Sequence, residues 1–228
     1  MAGRLVLVAT PIGNLEDLSP RAARILAESG AWFVEDTRVT GKLQSHLGIK
    51  RPMRVLNDQT PERRIADYAQ ELSEGLTACL VSDAGSPVVS DPGSELVSHC
   101  RGLGVDVDSV PGPSAVTDAL ALSGFYAQRF AFLGFLSRKP GAAAETLAPF
   151  VDSALTLVLF ESPHRFLKTL ELCHRVLGER NYAICRELTK MHQQVWVDKL
   201  PALPGEKDVP AKGEFTLVLE GLRRNRRT

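Results

Sequence analysis

Neither sign of charge predominates in this chain: 27 lysines and arginines balance 27 aspartates and glutamates over 228 residues. Bulk electrostatics therefore supply no general affinity for nucleic acid, and any such contact has to come from a local patch. Long hydrophobic runs are missing too; none approaches the ~18–20 apolar residues of a membrane helix. The opening MAGRLVLVATPIGN has one arginine and a very short apolar run before Pro11, so it reads as a first strand and not as a signal peptide. The four cysteines, Cys79, Cys100, Cys173 and Cys185, form no CxxC pair and no Cys/His metal spacing. Three of them lie in apolar stretches, which predicts reduced, mostly buried thiols in a cytosolic protein. No GxGxxG follows a strand and no GxxxxGKS/T occurs, which argues against a Rossmann dinucleotide site and a P-loop. Fixed-period repeats, low-complexity blocks and a visible metal site are likewise absent.

What the sequence does contain is an alternation of short β-branched runs and helical patterns. Hydrophobic residues make up 44% and charged residues 24%, ordinary for a globular protein of one large or two small domains. RLVLVA (4–9), AWFVE (31–35), MRVL (53–56), TACLVS (77–82) and VDVDSV (105–110) read as strands. Helices are predicted after Ser19 and Pro20, at 41–48, 61–75, 92–104 and 113–124. The second half gives strands at 129–136, 154–162, 181–188, 193–200 (edge-like) and 213–221, with helices entered from SRKPGAAAE (137–145) and running from Pro163 to Leu177. This order predicts an α/β protein with a largely parallel sheet and helices on both faces. Two α/β domains of similar size fit, residues 1–117 and 118–228.

In an open parallel sheet, ligands bind beyond the carboxyl ends of the strands. Three loops sit at such ends: ATPIGNLEDLS (9–19), SDAGSPVVSDPG (82–93) and PGPSA (111–115). Each is rich in Gly, Pro and small residues. Glycine lets backbone approach a ligand with no Cβ in the way, and proline fixes the local path. Such turns present main-chain N–H and C=O groups to a polar ligand, with Asp83 available as an acceptor. Gly/Pro turns are also normal connectors; the ligand reading rests on three of them in one half.

ATPIGNLEDLS, EDTR (35–38), SDAGSPVVSDPG, PGPSA, ESPHR (161–165), RELTK (186–190) and KGEF (212–215) stand in the order found in the ribosomal RNA small-subunit methyltransferase I family, of the tetrapyrrole-methylase superfamily. The chain resembles that family from about residue 4 to 221. The resemblance implies two α/β domains of tetrapyrrole-methylase type with S-adenosylmethionine in the cleft between them. It also implies a cytoplasmic homodimer that methylates the ribose 2′-hydroxyl of a cytidine in the decoding region of small-subunit rRNA. Carried over by position, Pro11, Ile12 and Gly13 form the first cofactor loop, and Asp83, Ala84, Gly85 and Ser86 lie beside the methionine end. Ser114 and Ala115 approach from a helix start, where free N–H groups favour a carboxylate. Phe160 and Gly213 flank the adenine side.

The charged motifs have two readings each. EDTR can be an Asp N-cap with a surface ion pair, or Arg38 can grip a phosphate. In ESPHR, Ser162 and Pro163 suit an N-cap and first helical position, which leaves His164 and Arg165 for substrate. RELTK is either a solvated ion pair or part of the catalytic set; Glu161, Glu187 and Lys190 are the candidate bases or helpers. Arg138, Lys139 and the arginines of the tail add RNA contacts. Family members carry a His-x-His-Asn-Glu stretch where this chain has LNDQTPE, with Asn57 and Gln59 at the histidine positions, and acidic residues where it has Gln193 and Gln194. Two rival readings remain: a tetrapyrrole methyltransferase of the same fold, and a cofactor- or RNA-binding module without turnover.

Overall fold

The computed structural model describes residues 3–222. The chain divides into two compact units, Met1–Ser114 and Ala115–Thr228. In the first, five strands form one sheet in the order β3-β2-β4-β1-β5: β1 Arg4–Val8, β2 Ala31–Val34, β3 Met53–Val55, β4 Thr77–Val81 and β5 Asp106–Val110. All four pairings are parallel. The connecting helices are α1 Pro20–Glu28, α2 Thr37–Leu47, α3 Glu62–Ser73 and α4 Ser94–Gly102.

The period of two along each strand sends alternate side chains to opposite faces. Leu5, Phe33 and Leu80 pack under Ile65, Leu72, Leu96 and Cys100 of α3 and α4. Val6, Val8, Trp32, Val34 and Val81 pack under Ala22 and Leu26 of α1 and Leu43 of α2. Helix α1 starts as the sequence predicts: the Ser19 side chain accepts from Ala22 N at 3.1 Å and Pro20 follows. Such a cap contributes about 1 kcal/mol. Helix α2 starts four residues earlier than expected. Asp36 caps it, accepting from Arg38 N at 2.8 Å, and Gly41 is carried inside the helix despite its low propensity.

The second unit departs from the parallel expectation. Its sheet has the order β6-β7-β10-β8-β9, with β6 Phe130–Phe135, β7 Thr156–Glu161, β8 Asn181–Arg186, β9 Gln194–Lys199 and β10 Phe215–Leu219. Only β6 and β7 pair in parallel; the other three pairings are antiparallel. The cause is local: no helix separates β8 from β9 or β9 from β10, so neither link supplies a crossover. Helix α5 (Ala115–Ser123) packs on β7, β8, β9 and β10 and so belongs whole to this unit, where a boundary at 117 divides it. Helices α6 (Pro140–Leu147) and α7 (Phe166–Leu177) supply Ala143, Leu147, Phe166 and Leu170 to a core with Leu157, Leu159, Ile184 and Leu217. Helix α7 begins at Phe166, not Pro163; Ser162–Arg165 is a turn closed by Arg165 N donating to Ser162 O at 3.1 Å, so Ser162 is no N-cap.

The four cysteines are free and buried. Burial pushes Cys79 and Cys100 up to about 11, and Cys173 and Cys185 up to about 12, so all four are inert thiols. Among the described residues no helix is long and apolar enough to cross a membrane, and no group of three His, Cys, Asp or Glu is placed to hold a metal ion.

Candidate functional site

The three Gly/Pro loops of the first unit meet at the carboxyl ends of β1, β4 and β5. Thr10 N donates to Gly85 O at 2.8 Å and Gly85 N to Thr10 O at 3.0 Å, a two-residue antiparallel bridge between two of the loops. Gly85 has φ +82, and a Cβ there sits 3.3 Å from Ile12 Cγ2 and 3.7 Å from Pro113 O. Gly112 approaches so closely that an added Cβ lies 3.0 Å from Ala9 Cβ. The loops that carry Pro11–Gly13, Asp83–Ser86 and Pro111–Ser114 therefore pack against one another, most closely where glycine stands. Ser82 reinforces it: its hydroxyl lies 3.2 Å from Gly85 O, and its own carbonyl accepts from Thr10 Oγ1 at 3.2 Å. Val88 and Ser90 in the same loop have φ 74 and 66, unusual for residues with a Cβ. Backbone held there costs about 1–3 kcal/mol per residue and collects at ligand clamps.

The loops are ringed by carboxylates. Burial pushes Glu35, Asp83 and Asp91 up from the ordinary carboxylate range, and mutual repulsion adds to it; Asp91 rises to about 6. Asp36 is the opposite case: hydrogen bonds from Arg38 hold it down at about 2. Arg38 Nη2 lies 2.6 Å from Asp36 Oδ2 while the arginine side chain stays 89% exposed. The structural alternative for EDTR, an Asp cap with a surface ion pair, is thus what forms, and it leaves Arg38 available to solvent.

Linkage fixes the sign for Asp91. Its folded pKa is raised, so its contribution is fully present below about 3.8 and is lost as pH rises through about 6. Asp91→Asn keeps an acceptor for Ser82 and removes the charge. It is expected to stabilise the protein at pH 7.5 by on the order of 1 kcal/mol after discounting for solvent, with little gain at pH 4, read from urea unfolding at the two pH values.

Beside the loops lies a cavity of about 150 Å³ lined by Thr10, Pro11, Leu15, Val39, Thr40, Lys42, Leu43, Ser82 and Asp83. Sequence reasoning missed its α2 wall because it began that helix at Gly41; the signal was Asp36, a cap residue two before Arg38. Asn57 and Gln59, at the family's histidine positions, belong to a turn in which Asn57 Oδ1 accepts from Gln59 N at 3.1 Å and Asn57 N donates to Thr60 Oγ1 at 2.9 Å.

In the second unit the predicted residues form two separate sets. Glu161 is buried, with its side chain 1% exposed. Oε1 accepts from Ser162 N at 2.7 Å; Oε2 accepts from Thr169 Oγ1 at 2.6 Å and from Arg165 Nη2 at 3.2 Å. Both oxygens of this enclosed carboxylate are engaged by the protein, an arrangement suited to positioning Arg165. It holds Arg165, which also donates to Leu136 O at 3.0 Å and Ser137 O at 3.3 Å, tying the end of β6 to α7. His164 stands exposed on the turn, and Arg138 and Lys139 are exposed at the entrance to α6. Phe160 packs against Phe132 and Phe135, with ring centroids 4.8 and 5.7 Å away.

The second set is Glu187, Lys190 and Glu214. Lys190 Nζ lies 3.1 Å from Glu187 Oε1 and 2.9 Å from Glu214 Oε2. Burial lowers the lysine's pKa, but the two carboxylates outweigh it and the net shift is upward, which favours the ammonium form. Burial likewise raises Glu187, while the Glu214 N–H and Lys190 bring it net below the ordinary range, leaving an ionised carboxylate. Gly213 serves this set: with φ +96, an added Cβ falls 2.5 Å from Glu187 Cδ. That is a complete packing reason for the glycine. The basic tail from 223 on lies outside the described residues.

Residues 4–204 match the profile of the Tetrapyrrole (Corrin/Porphyrin) Methylases. The chain is 42% identical over 221 residues to the ribosomal RNA small subunit methyltransferase I of Thermotoga maritima, a match covering 96% of this chain and 99% of that protein. It is 39% identical over 225 residues to the protein of the same name from Pasteurella multocida, covering 97% of this chain and 80% of that one. Among solved structures it resembles the methyltransferase CobJ, with a TM-score of 0.71 and 16% identity over 98% of this chain and 97% of that one. It also resembles a uroporphyrin-III C-methyl transferase from Thermus thermophilus complexed with S-adenyl homocysteine, with a TM-score of 0.65 and 22% identity over 96% and 97% of the two chains. At such identities the solved structures speak for the fold alone.

Proposed function

Because the chain belongs to the ribosomal RNA small subunit methyltransferase I family, within the tetrapyrrole (corrin/porphyrin) methylases, we propose that it transfers a methyl group from S-adenosylmethionine to the 2′-hydroxyl of a cytidine ribose in small-subunit ribosomal RNA. The observation that carries the reading is the convergence of three side-chain-poor loops, locked by the Thr10–Gly85 bridge and brought close by Gly85 and Gly112. The glycines let the loops close on one another, since a Cβ at Gly85 would press on Ile12 and one at Gly112 on Ala9, and loops so short of side chains present main-chain groups suited to a polar nucleoside.

The cofactor, when bound, supplies a methyl group activated by its sulfonium. The protein's task is alignment, which can contribute roughly 7–11 kcal/mol to such a displacement. Main chain at Pro11–Gly13 and Asp83–Ser86 and the amides at Ser114 and Ala115 hold the donor in one pose. Arg38 and Arg138, with Lys139 and His164, take RNA phosphates and sugar, which sets register but not sequence. Of the two carboxylates among the catalytic candidates, Glu187 is the one that reaches the surface, with its side chain 19% exposed, so it is the group assigned to receive the hydroxyl proton. The same reading carries a cytoplasmic location and a homodimer; light scattering after gel filtration checks the latter, with twice the chain mass expected.

The test offers methyl-labelled S-adenosylmethionine with small ribosomal subunits lacking the modification, and in a separate reaction with a uroporphyrinogen. Label is expected in the RNA alone. Label on the porphyrinogen alone would favour the tetrapyrrole alternative, and donor binding without transfer to either would favour a module without turnover.

A further inference from the structure

The cavity beside the cofactor loops is built differently from the loops themselves. Its walls are Pro11, Leu15, Val39 and Leu43, and Leu15 and Val39 stand 43% and 38% exposed, so an apolar rim opens to solvent. Two polar atoms among its lining residues lack hydrogen-bond partners: Asp83 Oδ1 and Thr40 Oγ1, both inaccessible to water, with Thr40 as a whole 4% exposed. Leaving such atoms unpaired is unfavourable, a cost that a ligand bearing matching groups recovers. Lys42 lines the same cavity and is exposed, and exposed Arg38 lies one residue before Val39 on α2.

The volume selects the kind of ligand. About 150 Å³ is the share of about five waters and well below the roughly 300 Å³ or more of pockets for drug-sized molecules. That is room for one flat heterocycle. An apolar slot whose lining residues include an orphan carboxylate oxygen, an orphan hydroxyl and the basic Lys42 makes up the set expected of a pocket for an unstacked nucleobase. We infer that this cavity receives the base of the target nucleotide and reads it as cytosine, with Asp83 Oδ1 accepting from the exocyclic amine and the Thr40 hydroxyl donating to the neighbouring ring nitrogen. Uracil presents an oxygen where cytosine presents the amine, so it faces the Asp83 oxygen with no proton between them. Lys42 and Arg38 then hold the flanking phosphates. Division of labour follows within one loop: the main chain of residues 83–86 serves the donor, and the Asp83 side chain serves the acceptor substrate.

This inference rests on the RNA reading above, and its test separates the two. Small subunits carrying the target cytidine, or uridine in its place, are methylated with labelled donor by the wild type, Asp83→Asn and Thr40→Val, and S-adenosylhomocysteine binding is measured for each by calorimetry. The wild type is expected to prefer cytidine by about 10- to 100-fold. Asp83→Asn, whose amide can donate to uracil, is expected to narrow or reverse that preference. Thr40→Val is expected to raise the apparent KM for subunits while keeping its affinity for S-adenosylhomocysteine, which also reports that the variant is folded. An unchanged cytidine preference in Asp83→Asn overturns the inference, as does loss of S-adenosylhomocysteine binding in both variants, which would give the cavity to the donor. A wild type that methylates neither subunit removes the RNA reading itself.

Discussion

Replacing Gly85 by valine is expected to weaken S-adenosylhomocysteine binding by about 100-fold or more, with the circular dichroism of the protein unchanged. Two effects act together. A β-branched residue at φ +82 carries about 1–3 kcal/mol of backbone strain, and its Cβ starts 3.3 Å from Ile12 Cγ2 before any methyl is added. The Thr10–Gly85 bridge then holds only if Ile12 or the Pro113 carbonyl moves, and either movement opens the loop junction on which donor binding depends. Gly85→Ala separates the contributions. It keeps the conformational penalty but adds one carbon in a tight contact, so a smaller loss is expected. Calorimetry with the folded variants reads both; wild-type affinity in the valine variant would mean that the donor does not use this junction.

Removal of the Glu161 side chain carries the second large effect, on stability. Glu161→Ala leaves Arg165 without its buried carboxylate and Thr169 and Ser162 N without their acceptor. Breaking a buried pair from one side is expected to cost about 3 kcal/mol or more in denaturant unfolding. Glu161→Gln keeps the shape and one acceptor, and is expected to cost about 1–3 kcal/mol. The same variant decides the residue's role. If Glu161 took the proton, the glutamine would cost about 10²- to 10⁴-fold in rate at saturating substrate. As a positioning residue it should keep the rate within about tenfold, with the main loss in apparent affinity for subunits, because Arg165 and the Leu136–Ser137 segment shift.

Much of this was legible in the chain because the signals were local. Ser19 before Pro20 marks the start of α1 whatever the tertiary context, and the three Gly/Pro loops announce themselves by composition at strand ends. Less legible was anything set by distant partners. Nothing near NYAICREL or GEFTLVLEG says that these strands run antiparallel; that follows from the missing crossover helix between β8, β9 and β10. Ser162-Pro163 has the local grammar of a helix start, yet the turn closes on Ser162 O because Arg165 is pulled toward Glu161 and Leu136. The catalytic candidates were chosen by residue type, and only their surroundings distinguish them: Glu161 is enclosed, Lys190 is clamped between two carboxylates, and Glu187 reaches the surface. The cavity wall at Val39, Thr40 and Leu43 was hidden by a misplaced helix start, an error of four residues at Gly41.

The central claim is that a ribose oxygen accepts the methyl group. Nucleoside analysis by mass spectrometry of small-subunit RNA, digested after incubation with the protein and S-adenosylmethionine, tests it most directly. The account predicts one new 2′-O-methylcytidine per subunit and no new base-methylated nucleoside. A new methyl group on a base, or none in the RNA at all from protein that binds the donor, would contradict it.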